Sequence, residues 1–263
     1  MDPVAEHSVN EPADPTDPDD VLELFGRICD RAALILADNA DWSMSGDRET
    51  QYSIDVEIDA ACIEMLQAAG LAVLSEESGV TGRHVDPSLP LVVVDPLDGS
   101  TNASLGLPWC ATALCLVVDG VPRVAMVTNL RTGTRYAAVR GQGATRDGVR
   151  IGVSASPALS DAIVAVNARP PESFRPAQYR SMGATALDIA AVAGDGGFDG
   201  SIDFDDDRVG VWDYLASVLI VEEAGGVAVD ALGRDLVVLD HAARRRPVTA
   251  TSRTLLDQLL DHA

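Results

Sequence analysis

The sequence predicts a mixed α/β protein, and two features of its hydrophobic pattern support this prediction. Between residues 19 and 154, apolar residues first recur with helical spacing and then form short runs between turns, which is typical of helices packed on an antiparallel sheet. From residue 155 onward, strand-like and helix-like segments alternate. We therefore expect two halves, residues 19–154 and 155–263, behind an N-terminal tail.

The first half follows an acidic, proline-rich tail, residues 1–18, which we expect to be disordered. Asp19 or Asp20 is the expected cap of the first helix, whose apolar side chains fall on one face. The other predicted elements are a strand over 52–58, a helix over 59–69, strands over 71–74 and 91–94, and a meander over 111–118, 121–128 and 135–139.

The second half is predicted to contain strands near 162–166, 198–204, 227–229 and 248–251. Gly183, Ala184 and Thr185 open a helix over 186–193. A long apolar helix over 212–224 has Asp213 at its start, and the last helix begins at Thr254. Both parts together favour a mixed α/β architecture.

The charge balance excludes several classes of protein. Forty-one acidic residues against nineteen basic ones give a formal net charge of −22, which disfavours nucleic acid and membrane surfaces as partners. If the substrate is an anion, bound cations must attract it. All basic residues are arginine, so Schiff-base enzymes, pyridoxal phosphate enzymes and P-loop nucleotide hydrolases, which need a lysine, are excluded.

The cysteines and the hydropathy pattern indicate a cytoplasmic protein. The four cysteines form no CxxC pair and have no histidine nearby, so we expect buried, reduced thiols. No apolar run reaches the roughly 18 residues that a membrane span needs, and the N-terminus lacks the pattern of a signal peptide.

The stretch from Leu91 to Asn102 carries the clearest chemical signal. A buried strand runs directly into Asp95 and Asp98. Gly99 allows the backbone to approach a ligand closely, and the three small polar residues after it offer capping groups and N–H donors. Carboxylates beside such donors suit a cation that holds a phosphate group. The stretch therefore predicts a metal-dependent phosphate site.

Further carboxylates stand at the ends of other predicted elements. Glu76 follows the strand over 71–74, Asp59 begins a helix, and Asp213 begins the long apolar helix. Each of these acids alone could simply cap a helix or face solvent. Because Mg²⁺ prefers oxygen ligands from several segments, the acids together with Asp95 and Asp98 predict a shared metal centre.

Other polar patterns fit known sites less well. Asp203, Asp205 and Asp207 resemble the start of a calcium loop, but Arg208 stands where that loop needs glycine. An aspartyl nucleophile would need a partner acid two residues later, whereas the two central aspartates are three apart, so we expect water to attack. Four histidines without the spacing of a site are expected at the surface: His7, His84, His241 and His262. The three arginines at 244–246 predict a solvated turn.

Three segments resemble, in order and spacing, the signatures of the inositol monophosphatase family of magnesium-dependent, lithium-sensitive phosphatases. These segments are LSEESG at 74–79, VVVDPLDGSTN at 92–102 and VWDYLASVLIVEEAGG at 211–226. The resemblance extends through GLPW, YAAVRGQGATRDG and SMGATALDIAAV, and so covers roughly residues 20–260.

The resemblance implies an αβαβα sandwich of the sugar-phosphatase type, a homodimer, and two to three Mg²⁺ ions between the halves, with Mn²⁺ as a substitute and Li⁺ as an inhibitor. By position, Glu76, Asp95 and the Leu97 carbonyl would hold the first ion. Asp95, Asp98 and Asp213 would hold the second ion, and a third ion would have Glu76 as a ligand.

The resemblance also implies catalytic and substrate-binding roles. Asp59 and Ser100 would orient the attacking water, with Glu76 as a further catalytic acid. The backbone of Gly99 and Ser100 would receive the phosphate. The remaining substrate-binding positions would be Asp98, Gly183, Ala184, Thr185, Asp206 and Asp213, where Asp206 stands in place of a glutamate of inositol-specific members.

The expected function is hydrolysis of a small phosphorylated polyol or sugar, with myo-inositol 1-phosphate as the first candidate. Ala103, Tyr214 and Leu215 depart from the family pattern, which leaves fructose 1,6-bisphosphate, histidinol phosphate and 3′-phosphoadenosine 5′-phosphate as alternative substrates. An alternative from another class is a non-catalytic, cation-binding regulatory protein.

Overall fold

The computed structural model describes residues 15–39, 41–46, 51–82, 89–154, 158–194, 197–205 and 207–263. The helices are α1 (Pro18–Asp38), α2 (Ser53–Ala68), α3 (Ser100–Ser104), α4 (Thr185–Ala190), α5 (Val211–Glu223) and α6 (Arg253–Leu260). Most of the expected tail, residues 1–14, and Asp206 lie outside the described residues. Within the described parts, no helix is both long and apolar enough to cross a bilayer.

Thirteen strands form two sheets in the described residues. The strands are β1 (Ala72–Ser75), β2 (Gly79–Thr81), β3 (Leu91–Asp98), β4 (Ala111–Val118), β5 (Val121–Asn129), β6 (Arg135–Val139), β7 (Gly143–Arg146), β8 (Val149–Ile151), β9 (Ile163–Asn167), β10 (Gln178–Arg180), β11 (Gly200–Asp203), β12 (Val227–Asp230) and β13 (Pro247–Ala250). The large sheet has the order β2-β1-β3-β4-β5-β6-β7-β8, and the small sheet has the order β10-β9-β11-β13-β12.

The pairing pattern follows the expected meander in the middle of the chain. From β3 to β8 each strand of the large sheet pairs antiparallel with the next, whereas β1 and β3 are parallel. Asp119 and Gly120 both have positive φ in the tight turn between β4 and β5. In the small sheet, β9 pairs parallel with β10 and β11, and the remaining pairs are antiparallel.

The packing of helices on these sheets gives an αβαβα sandwich, as the family resemblance implied. Helices α1 and α2 pack together on one face of the large sheet, and α5 packs on the opposite face. Helices α4 and α5 also contact strands of the small sheet, whose other side carries α6. In β3, Leu91 and Val93 join the core shared with α5, whereas Val92 and Val94 join the core shared with α1 and α2.

Two predictions for the first helices were wrong. The cap of α1 is Asp17, whose side chain accepts hydrogen bonds from the backbone N–H groups of Asp19 and Asp20, and the helix begins at Pro18. Of the segment 52–58, predicted as a strand, Tyr52 is the N-cap of α2 and residues 53–58 belong to that helix. Its buried positions recur with helical spacing, and the apparent alternation came from the apolar residues at 54, 56 and 58.

Candidate metal centre

Three of the predicted metal ligands converge in the folded chain. Carboxylate oxygens of Glu76, Asp95 and Asp213 lie within 4.8 Å of one another. Glu76 follows the end of β1, Asp95 lies in β3, and Asp213 lies in the first turn of α5. The structure therefore brings together acids from three elements that are far apart in sequence.

An irregularity in β3 explains how Asp95 and Asp98 share one side of the sheet. Residues three apart on a regular strand face opposite sides. Asp95 pairs with Ala113 and Asp98 with Ala111, so β3 contains one residue more than β4 between these pairs. This extra residue is a β-bulge, and it turns both carboxylates toward the same face.

Asp95 is the most enclosed of the three acids, with an exposed fraction of 1%. Its Oδ1 accepts a hydrogen bond from the backbone N–H of Leu97 at 3.1 Å. Its Oδ2 is buried and has no hydrogen-bond partner within the described residues. A buried carboxylate oxygen without a partner is costly, and a cation among these hard oxygen donors would satisfy it.

The pKa values of the acids show that ionising all of these carboxyl groups without a cation is unfavourable. Burial raises the pKa of Asp95 well above its ordinary value, and the charges of Glu76, Asp98 and Asp213 raise it further. Burial also raises the pKa of Asp98 and that of Asp213, each to about 8. Such a cluster fits one or more divalent cations, because bound positive charge would favour the ionised carboxylates.

Asp98 also holds the N-terminus of α4. Its Oδ1 accepts from the Thr185 N–H at 3.2 Å, and its Oδ2 accepts from the Ala186 N–H at 2.7 Å. Asp98 therefore ties the central turn to the segment that contains Gly183, Ala184 and Thr185. Since each carboxylate oxygen has a second lone pair, these bonds still allow Asp98 to bind a cation.

The turn after Asp98 requires glycine for two reasons. Gly99 has a φ of +79°, and a Cβ at this position would lie 3.0 Å from both the Trp109 carbonyl and the Ala184 Cβ. The Asn102 amide nitrogen donates to the Trp109 carbonyl at 2.8 Å and to the Met182 carbonyl at 2.7 Å. The backbone of Gly99 is thus packed against the loop that leads into α4.

Asp59 is buried in the second turn of α2, not at a junction of elements. Its two carboxylate oxygens accept hydrogen bonds from the hydroxyls of Ser75 and Ser78. These serines flank Glu76 in the turn between β1 and β2. The contacts of Asp59 therefore fix the turn that carries a metal ligand.

Sequence reasoning missed Asp55, which lies one helical turn before Asp59. Its Oδ2 accepts from the Tyr52 N–H at 2.8 Å, whereas its Oδ1 is buried without a hydrogen-bond partner in the described part of the chain. Burial raises the pKa of Asp55 to about 7, and the charge of Glu77 contributes. The signal in the sequence was concealed because the segment 52–58 was interpreted as a strand.

The remaining predicted site residues have different surroundings. Leu97 is buried in β3, and Ser100 is half-buried at the start of α3. Asp206 lies outside the described residues. His241 is not simply a surface residue, as the sequence suggested, because its ring nitrogen contacts the Glu76 carbonyl. The neighbouring Arg244 is not only solvated either, since its guanidinium lies over the Trp212 ring.

Comparisons with known proteins agree with this fold. The model of the inositol monophosphatase family matches residues 21–262. The chain is 33% identical over 216 residues to the inositol-1-monophosphatase ImpA of Mycolicibacterium smegmatis, with 75% of each chain covered. It is 30% identical over 271 residues to the Nus factor SuhB of Escherichia coli K12, with 92% of this chain and 97% of that relative covered.

Solved structures share the fold over nearly the whole chain. The extragenic suppressor protein suhB of Bartonella henselae has a TM-score of 0.78 at 24% identity, covering 92% of this chain and 98% of that one. A hypothetical protein of Pyrococcus horikoshii, described as similar to inositol-1 monophosphatase, has a TM-score of 0.80 at 23% identity, covering 93% and 97%. The chain belongs to the inositol monophosphatase family, a family of generally metal-dependent phosphatases for small phosphate esters.

Proposed function

We propose that this protein hydrolyses the phosphate monoester of a small polyol or sugar, with myo-inositol 1-phosphate as the preferred candidate. The observation that carries the proposal is the convergence of Glu76, Asp95 and Asp213 within 4.8 Å, in a chain of this family. Arrangements of hard oxygen ligands from several segments suit Mg²⁺ and Mn²⁺. The strongly negative chain offers few other means of attracting an anionic ester.

The family pattern assigns the acids to two ions. Glu76, Asp95 and the Leu97 carbonyl would hold one ion, and Asp95, Asp98 and Asp213 would hold the other. A third ion, bound more weakly, would have Glu76 as a ligand. When bound, such ions lower the pKa of a coordinated water and neutralise the charge of the leaving oxygen. Inhibition by Li⁺ is part of the same proposal.

The backbone around Gly99 and Ser100 is proposed to receive the phosphate group. Its close packing against the loop of Gly183 and Ala184 supports a rigid cradle at this point. Because Asp98 holds the N-terminus of α4, Thr185 and its neighbours stand beside the metal ligands and are proposed to border the leaving group.

The two buried acids of α2 are proposed to have separate roles. Asp59, assigned by resemblance to the attacking water, has both oxygens engaged by serine hydroxyls, which favours a role in positioning Glu76. Asp55 has a buried oxygen that can accept a hydrogen bond from water, and the charge of the Glu77 side chain acts on it. We therefore assign in-line orientation of the water to Asp55 together with Ser100.

A substrate panel tests the proposal. Phosphate release would be measured with and without Mg²⁺ on myo-inositol 1-phosphate, fructose 1,6-bisphosphate, histidinol phosphate and 3′-phosphoadenosine 5′-phosphate. We expect Mg²⁺-dependent turnover that is highest on the inositol ester. A folded, metal-loaded protein that is silent on every ester would refute the proposal.

A second candidate function is suggested by the similarity to the relative named Nus factor SuhB. The alignment with this chain covers 97% of that relative's length. In this alternative the chain is a non-catalytic, cation-binding regulatory protein. Calorimetric Mg²⁺ binding without hydrolysis of any ester would favour it. The net charge of −22 argues against direct contact with nucleic acid in either case.

Two further expectations stay predictions. The homodimer implied by the family resemblance is tested by sedimentation velocity of the full chain. The cytoplasmic location rests on the pattern of the sequence, and the four cysteines are indeed free and buried in the structure.

A further inference from the structure

His241 connects the two halves of the candidate metal centre. It lies between β12 and β13, and its Nε2 is 2.9 Å from the backbone carbonyl oxygen of Glu76. A carbonyl can only accept a hydrogen bond, so Nε2 carries the proton and donates. The imidazole also packs on Trp212, with ring centroids 4.7 Å apart and planes inclined by 32°. Trp212 directly precedes Asp213, so His241 contacts Glu76 itself and the residue next to Asp213.

The segment around His241 is itself held in place. The guanidinium of Arg244 lies 5.1 Å from the centroid of the Trp212 ring. Its Nη1 donates to the carbonyls of His241 and Ala243 at 2.8 and 2.9 Å. Gly79 is also near the ring, because a Cβ added at this glycine would lie 3.9 Å from the imidazole. The imidazole is therefore packed between the β1–β2 turn and the start of α5.

Glu76 and Asp213 need such a connection because they belong to different layers. Glu76 follows a strand of the large sheet, whereas Asp213 lies on a helix packed between the two sheets. A metal centre binds tightly only when its ligands are held near the required geometry. A small shift of the β1–β2 turn relative to α5 would separate the two carboxylates.

We propose that His241 is a positioning residue of the metal centre. Its hydrogen bond to the Glu76 carbonyl and its stacking on Trp212 hold the two carboxylates at the spacing that a divalent cation requires. This inference rests on the proposed metal-dependent function, and it adds a residue that makes no direct contact with the ion. Loss of a group of this kind typically weakens metal binding by about 10- to 100-fold.

Three substitutions separate the two contacts of His241. His241→Ala removes both the donor and the ring, His241→Phe keeps a ring without the donor, and His241→Gln keeps an N–H donor without the ring. The matched control is His262→Ala. His262 also contacts an aromatic ring, that of Phe174 at 5.5 Å, and lies in the last turn of the chain, away from the metal ligands.

The measurement is Mg²⁺ and Mn²⁺ binding by calorimetry to protein stripped with EDTA. The Mg²⁺ concentration that gives half-maximal phosphate release is measured in parallel. We expect His241→Ala to weaken binding by about 10- to 100-fold, with maximal turnover at saturating Mg²⁺ within a few-fold of the unaltered protein. The metal affinities of His241→Phe and His241→Gln should lie between those of His241→Ala and the unaltered protein. His262→Ala should bind the metal as tightly as the unaltered protein.

Two results would overturn the inference. The first is normal metal affinity in a folded His241→Ala variant. The second is an equal loss of affinity in His262→Ala, which would indicate general destabilisation. If the unaltered protein binds no divalent cation, the proposed function fails as well, and this outcome is distinguishable because it precedes any comparison of variants.

Discussion

Asp95 is the residue on which the electrostatics of the metal centre depend most. It is almost completely buried, it has an oxygen without a hydrogen-bond partner among the described residues, and four other acids raise its pKa. In the absence of a cation, this carboxylate is unfavourable for the fold. In the proposed function it would contribute to both cation sites, so the same side chain would be costly for stability and essential for metal binding.

Replacing Asp95 with Asn should therefore separate activity from stability. We expect Asp95→Asn to lower phosphate release by at least about a hundredfold, because the substitution removes a charge that would serve both cation sites. The melting temperature without metal should stay the same or rise, since a buried charge is removed. Asp257→Asn, an exposed position on α6, is the control, and turnover near that of the unaltered protein in Asp95→Asn would contradict the role of Asp95.

Asp188 provides an independent test of the electrostatics in this region. It is 2% exposed, its Oδ1 accepts a hydrogen bond from the Trp109 indole N–H at 2.8 Å, and burial raises its pKa from 3.8 to about 7. The folded protein therefore binds this proton more tightly than the unfolded chain. The stability that the proton contributes is complete below the unfolded value and is lost as the pH rises through 7.

Asp188→Asn should mimic the protonated form at every pH. At pH 8 without metal, we expect the variant to be more stable than the unaltered protein by roughly a few kcal/mol, and the difference should shrink steadily toward about pH 4. Urea unfolding at several pH values in EDTA measures this difference. An offset that does not change with pH would show that Asp188 is not a buried, titrating carboxyl group.

Helix α2 contacts the turn after β1, which carries the predicted metal ligand Glu76. The helix presents Asp55 and Asp59 one turn apart, and Asp59 holds the hydroxyls on both sides of Glu76. A single helix thus serves the turn that carries a metal ligand and, in the proposed function, the attacking water. The two acids should therefore affect different kinetic quantities.

Asparagine at each position distinguishes these roles. We expect Asp59→Asn to weaken Mg²⁺ binding by about tenfold or more with little change in kcat at saturating Mg²⁺, and Asp55→Asn to lower kcat instead. The double variant Ser75→Ala with Ser78→Ala should reproduce the effect of Asp59→Asn, because it removes the same two hydrogen bonds. If only Asp59→Asn lowers kcat, Asp59 acts on the water directly.

The same helix shows where prediction from sequence failed. The apolar residues Ile54, Val56 and Ile58 alternate as in a strand, but Ile54 and Ile58 lie on one buried helical face with Cys62 and Leu66. Short strands such as β2, β8 and β10 were missed because none of their residues is fully buried and they carry no apolar alternation. In contrast, β4 and β6 were predicted with their observed bounds, because glycine turns delimit them.

For the molecule as a whole, the layered architecture explains why the site could be predicted only in part. Glu76, Asp95 and Asp213 directly follow or begin strongly apolar runs of the sequence, so their chemistry was visible there, and the fold brings them together. The contact of His241 with Glu76 depends on how the C-terminal half packs against the β1–β2 turn. No periodicity within either segment encodes that contact, so the sequence could not indicate it.

The central claim is that acids from both halves of the chain hold divalent cations that drive hydrolysis of a phosphate ester. Its most direct test is the initial rate of phosphate release from myo-inositol 1-phosphate while Mg²⁺ is titrated into protein stripped with EDTA. We predict no release without metal and a saturable rise as Mg²⁺ is added. Release that does not depend on Mg²⁺, or a saturated metal centre without any release, would contradict the claim.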